Sequence, residues 1–107
     1  MQSRVFSSLG LATKAGKAQS GEFCTEKSVK SFKAFLVLVA EDASDNTKKM
    51  FTNMCTYYEV PCFIYGTKAD LGHAMGKEMR ASVAITDEGF AKMIQKQLSS
   101  EGIGGNE

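Results

Sequence analysis

The sequence predicts a three-layer α/β/α sandwich, and three observations carry that prediction. Ala34 to Ala40, Val60 to Tyr65 and Ser82 to Ile85 are short, almost continuously apolar stretches. Segments with helical periodicity separate them. No repeat or linker divides the 107 residues, which hold a single proline, so one domain accounts for the chain. Strands that are apolar on both faces belong in a sheet covered on both sides. Helices above and below that sheet complete the layers.

Taken in order, the turn Ala15-Gly16-Lys17 lies between a helix and a weak fourth strand at Lys17 to Ser20. A helix from about Gly21 to Phe32 follows. Its inward set is Thr25, Ser28, Val29 and Phe32, which leaves Lys27, Lys30 and Lys33 facing solvent. The clearest helix spans 45–58: Thr47, Met50, Phe51, Met54, Cys55 and Tyr58 form one apolar stripe, with Lys48, Lys49, Asn53 and Tyr57 opposite. Ser44 is its N-cap, and Val60-Pro61 ends it, because the residue before a proline avoids the helical region. Residues 67–76 open with Thr67 and Asp70 at capping-box spacing and place Leu71, Ala74 and Met75 on one face. The last helix opens on Thr86, Asp87 and Glu88, where the helix dipole favours acids, and buries Phe90, Ala91, Ile94 and Leu98. The domain therefore covers residues 1–98. Residues 99–107, rich in glycine and polar side chains, are expected to be a disordered tail.

Charge is unevenly divided. Residues 1–33 carry six Lys/Arg against two Asp/Glu, a net +4, and the remainder seven against ten, a net −3. A basic first third on a chain of net charge +1 points to one positive face, the footprint of a phosphate-bearing partner. Lys14, Lys17, Gly21, Lys27 and Lys30 make up that constellation. A helix opening at Gly21 offers unpaired N–H groups and a dipole to an anion, and lysines nearby add point charges for further phosphates. A solvated basic face is the plain alternative.

Other readings fall away. The pattern GxxxxGK[ST] fails, because five residues separate Gly10 from Gly16 and Ala18 stands where Ser/Thr would hold a metal. Glu41-Asp42, at the end of the most buried strand, and His73, the single histidine, are the residues a catalytic site would need. They read as a solvated strand end and an outward surface residue. Cys24, Cys55 and Cys62 lack CxxC spacing and read as free, mostly buried thiols in a reducing cytosol. Gly72 and Gly76, four apart in a helix, call for close packing against the sheet or close approach of RNA just beyond. The longest apolar run, Ala34 to Ala40, is far below the ~20 residues of a membrane span, and the N-terminus lacks the pattern of a signal peptide. No enzyme activity, cofactor, metal or membrane is expected, and the chain is expected to be a cytoplasmic monomer.

Five fragments in order resemble a known family: Leu11-Ala-Thr-Lys-Ala-Gly-Lys17, Ser20-Gly21-Glu22, Lys33-Ala-Phe-Leu-Val-Leu-Val-Ala-Glu-Asp-Ala-Ser44, Leu71-Gly-His-Ala-Met-Gly76 and Ser82-Val-Ala-Ile85. They are similar to the kink-turn-binding ribosomal proteins of the L-seven-Ae type. The small bacterial YlxQ-like branch also shares Thr86-Asp-Glu-Gly-Phe90, and the similarity spans roughly residues 4–98. The resemblance implies a mixed four-stranded sheet and binding to kink-turns, sharply bent RNA helices with tandem sheared G·A pairs. It assigns Gly21, Glu22 and Lys27 to the helix that enters the widened groove. It assigns Lys77 to Ala81 to a loop that covers a flipped-out nucleotide, with Lys14 and Lys17 flanking the phosphates. Two departures stand out. Phe23 and Cys24 occupy the positions of an Asn-Glu pair that reads the G·A pairs. The second loop is about a residue shorter, with Arg80 where small or apolar residues are usual. The reading is thus a structured-RNA binder, on ribosomal RNA or an mRNA leader and with the ribosome as a further partner, that relies on phosphates and shape, with Arg80 as a replacement contact. The alternative is a protein-interaction module of the same fold. Phe23 is expected in the core, with base stacking as its other possible role.

Overall fold

The computed structural model describes residues 3–106. Its elements run α1 (Arg4–Lys14), β1 (Ala18–Ser20), α2 (Glu22–Lys30), β2 (Leu36–Val39), α3 (Asp45–Tyr58), β3 (Cys62–Ile64), α4 (Lys68–Ala74), β4 (Ser82–Ile85) and α5 (Glu88–Ser100). The four strands form one mixed sheet in the order β1-β4-β2-β3: β4 pairs antiparallel with both β1 and β2, and β2 pairs parallel with β3. Helices α2 and α3 cover one face; α1, α4 and α5 cover the other. The three apolar stretches are the strands, and every residue of β2 and β4 is buried.

Capping follows side-chain chemistry. Ser44 Oγ accepts from Thr47 N at 3.1 Å, and Thr67 with Asp70 closes a complete capping box. At α5 the cap is Asp87, which accepts from Phe90 N at 2.9 Å. Helix α1, whose bounds the periodicity did not mark out, buries Val5, Ser8, Leu9 and Ala12 against α5 and α4. The core joins both faces through Leu9, Phe51, Leu71, Ile94 and Leu98, all fully buried.

Four expectations change. Phe32 is not in the inward set: it lies beyond the end of α2, at φ +61°, and is exposed. Cys24 is exposed as well, while Cys55 and Cys62 are buried. A hydrogen bond to Cys62, together with burial, pushes the Cys55 thiol far above its ordinary range. Gly76 lies outside the helix, in a left-handed turn at φ +70°. Gly72 is required not by the sheet but by the following loop, because a Cβ there would fall 1.7 Å from the Glu78 carbonyl oxygen.

The fourth concerns the C-terminal residues, of which Glu107 lies outside the described part. Ser99 and Ser100 extend α5, and the chain then folds back on β3 rather than fraying. Asn106 N donates to Cys62 O at 3.1 Å, and Cys62 N donates to Asn106 Oδ1 at 3.0 Å. Asn106 Nδ2 also reaches Thr56 Oγ1 and Val60 O, each at 3.2 Å. Composition suggested disorder because glycine and polar residues bury little. What holds this segment is the unpaired edge of β3, whose backbone groups need partners. Tyr65 adds a second tie, donating to Glu101 Oε1 at 2.7 Å and lying 2.8 Å from Ser3 Oγ.

Asn106→Ala should therefore lower the stability of the chain by about 1–2 kcal/mol, read as a lower urea midpoint at unchanged slope. A midpoint equal to that of the parent would mean that the edge of β3 does not depend on this residue.

Candidate nucleic-acid interface

The register of β1 on β4 places Ser20 opposite Val83. The end of β1 and the start of β4 thus lie side by side, with their connections. Gly21 N donates to Ser82 O at 3.0 Å, and Arg80 Nε donates to Ser20 Oγ at 3.0 Å. Beneath them the Ser82 hydroxyl donates to Thr25 Oγ1 at 3.1 Å, fully buried. These bonds bring Gly21 and Glu22 against Arg80 and Ala81, some sixty residues away in sequence.

Gly21 has φ +94° and ψ 157°, a conformation that only glycine adopts readily. A Cβ at this position would meet nothing within 4 Å, so the space in front of it is open. Helix α2 has no side-chain N-cap, whereas Ser3, Ser44, Thr67 and Asp87 cap the other four. Its first-turn N–H groups and the positive end of its dipole are thus left without a side-chain cap, the arrangement that binds anions. Glu22 in the same turn is an acceptor, suited to base amino groups rather than phosphate.

The second loop is fixed to α4 by backbone bonds. Lys77 N donates to Gly72 O at 2.8 Å and Arg80 N to Lys68 O at 3.0 Å. Arg80 Nη1 donates to Met79 O at 2.9 Å. Of the five guanidinium N–H donors, three remain uncommitted among the described residues. Arg80 is thus both the clasp between the two halves and a source of outward donors. An open groove of about 1320 Å³ runs from here between α1 and α4, and Leu11, Lys14, Lys77 and Met79 line it. Lys14 and Lys77 share that groove.

Two expected members stand apart. Lys17 precedes β1 at the end opposite Gly21, about 13 Å away along an extended strand. Lys30 lies at the far end of α2 and binds Glu26 at 2.7 Å, which raises its pKa. Lys27 is exposed on the outer face of α2. It shares a shallow groove of about 360 Å³ with Phe23, Glu26, Lys30 and Ser31. Phe23 is 74% exposed, not in the core. The signal was available: at about 100° per residue, Phe23 lies some 200° around the helix from inward Thr25.

The acids at the end of β2 have structural work. Glu41 Oε2 accepts from Gly66 N at 3.0 Å, and Asp42 Oδ1 accepts from Lys68 N at 2.8 Å, at the first turn of α4. His73 is exposed. Among the described residues, no group of three or more His, Cys, Asp and Glu is placed to hold a metal ion, and no helix is long and apolar enough to cross a membrane.

A model of the ribosomal protein L7Ae/L30e/S12e/Gadd45 family matches residues 3–95. The RNA-binding protein YlxQ of Bacillus subtilis (strain 168) is 47% identical over 89 residues, which cover 83% of this chain and 89% of that protein. The RNA-binding protein YlxQ of Enterococcus faecium is 42% identical over 90 residues, covering 84% and 86%. A solved structure from Bacillus halodurans, described as a protein with unknown function, superposes with a TM-score of 0.89 at 31% identity. It covers 92% of this chain and 99% of its own.

Gly72→Ala is expected to destabilise the chain by about 1–3 kcal/mol, because the loop carrying Arg80 must move to admit a methyl group. Urea denaturation measures this. A stability equal to the parent's would show that the loop does not need its present seat on α4.

Proposed function

The chain belongs to the ribosomal protein L7Ae/L30e/S12e/Gadd45 family, in its bacterial YlxQ-like branch, and we propose on that premise that it is a non-catalytic protein that binds a folded, kink-turn-like RNA. One observation carries the reading: the uncapped start of α2 and the loop bearing Arg80 form a single surface. Two relatives named as RNA-binding proteins support it. The natural target is ribosomal RNA or an mRNA leader, met on the ribosome or in the cytoplasm by a monomer.

In this reading the first turn of α2 receives a backbone phosphate, with Gly21 letting the sugar-phosphate chain approach. Lys27 on α2, and Lys14 and Lys77 in the neighbouring groove, neutralise further phosphates. Ala81 and the 77–80 loop cover the bent strand, and Arg80 donates to it from a fixed position. Phe23 and Cys24 offer no paired donors and acceptors for G·A edges, so recognition rests on the shape of the kink and on phosphate placement. Glu41 and Asp42 accept from backbone N–H groups of the 66–68 segment, a structural role in this reading.

The deciding experiment is a titration with a kink-turn RNA and a G·A-disrupted version across a range of salt. Tighter binding to the intact motif is expected, with affinity falling linearly in log salt. Lys27→Ala should weaken both complexes similarly and reduce the salt slope by about one. Arg80→Ala should weaken the intact motif more than the disrupted one, and an unchanged affinity removes Arg80 from the interface. No binding to either RNA, with protein capture that survives ribonuclease, would replace this reading by a protein-interaction module of the same fold.

A further inference from the structure

The ends of α2 and α3 break the same local rule. Phe32, just past α2, and Glu59, the C-cap of α3, are the two non-glycine residues with positive φ among the described residues, at +61° and +59°. Glycine is the usual residue where a helix ends in this conformation, because it bears no Cβ. A glycine at position 32 would turn the chain as well without displaying a benzyl group. Phe32 is nevertheless 77% exposed. Its ring meets Tyr58 edge-on, with centroids 5.6 Å apart at 69°, and Tyr58 meets Tyr57 at 5.0 Å and 77°. Tyr57 is itself 80% exposed. Two exposed rings thus flank a half-buried third, and neither the turn nor the core requires them.

Their neighbours are basic. Lys33 follows Phe32 directly, Lys27 and Lys30 precede it on α2, and Lys49 lies two helical turns before Tyr57 on the same side of α3. The acids nearby are Glu26, paired with Lys30, and Glu59. Phe23, Lys27 and Lys30 line a shallow groove on α2, the helix that runs from Gly21 to this cluster. From Gly21 to Phe32 the rise is about 16 Å.

We propose that the outer face of α2, ending in the rings of Phe32, Tyr58 and Tyr57, is a stacking track for an unpaired RNA strand that leaves the folded motif held at Gly21 and Arg80. The inference rests on the RNA-binding reading above and adds a second, single-stranded element to the ligand. Exposed aromatic faces alternating with lysines suit such a strand, since every base has a face to stack and every linkage a phosphate. The strand passes over Phe23 and Lys27, its phosphates meet Lys27 and Lys33, and its last bases stack on Phe32 and Tyr57.

The test compares two kink-turn RNAs, one blunt-ended and one carrying a short unpaired extension at the 5′ or the 3′ end, titrated against the full chain. The extension of one polarity is expected to tighten binding about fivefold or more, the low end of what one stacked base contributes. Phe32→Gly suits the left-handed turn and keeps the fold, and Tyr57→Ala is on the surface. Either should erase most of that gain while leaving the blunt RNA bound as before. Equal affinity for blunt and extended RNAs overturns the track while leaving the RNA-binding reading intact. A gain that survives the double variant overturns it equally. Loss of both complexes in the parent chain removes the RNA-binding reading and the track with it. A change of oligomeric state or of protein capture in Phe32→Gly, without effect on the extension, would assign the rings to a protein contact instead.

Discussion

The pairing of β1 with β4 is the constraint on which the rest depends. Strand β1 has three residues and is the edge of the sheet, yet its register decides which side chains meet. Val83 opposite Ser20 puts the Ser82 carbonyl under Gly21 and the Arg80 guanidinium beside the Ser20 hydroxyl. A slip of one residue would turn every β1 side chain to the other face and leave Thr25 and Ser82 buried without partners. Their mutual bond therefore adds a directional constraint on the position of α2 to its apolar contacts. The strand is short, so the ladder alone cannot hold it. Helix α2 packs across β1 and β4 together, and α1 packs beneath β1.

The opposite edge is handled by different means. Strand β3 pairs with β2 on one side only, and on the other side Asn106 meets the N–H and C=O of Cys62. The segment that returns there starts from α5, which packs on α1 and is joined to it by the Ser8–Gln97 bond at 2.9 Å. Tyr65 lies between the two ends of the chain, its ring 5.3 Å from that of Phe6 and its hydroxyl between Ser3 and Glu101. Burial raises the pKa of that phenol. One edge is thus partly covered by the segment after α5, while the other lies beside Gly21.

Much of this was legible in the sequence, for reasons specific to each element. Strands β2 and β4 and helix α3 follow from apolar runs and a sustained stripe, signals that tertiary context reinforces. The capping box at Thr67 is purely local and equally readable. What the sequence did not show was set by contacts distant along the chain. The docking of Asn106 depends on an unpaired edge some forty-four residues away, and Gly72 on the path of the loop after it. The site was legible in part. Gly21, Glu22, Arg80 and Ala81 do come together, but through β1–β4 pairing that the weak three-residue strand barely announces. Lys17 and Lys30 fell into the same charged segment and are separated by the geometry. Phe23 is apolar, yet its angle around the helix turns it outward, away from Thr25.

Helix α2 departs from local rules at several positions at once. The four other helices have N-termini capped by a side chain, and α3 alone of them ends on a left-handed non-glycine residue, Glu59. Helix α2 has glycine where a capping side chain would stabilise it, Phe23 and Cys24 exposed in its first turn, and a left-handed phenylalanine past its end. Each departure is unfavourable by itself: an unfilled cap, apolar area left in water, backbone strain. Proteins agree with themselves across levels except where function demands otherwise. The inward face of α2 is ordinary, with Thr25, Ser28 and Val29 buried on the sheet. The departures of α2 lie on its outer face and at its two ends, the surfaces that the proposed reading turns toward RNA.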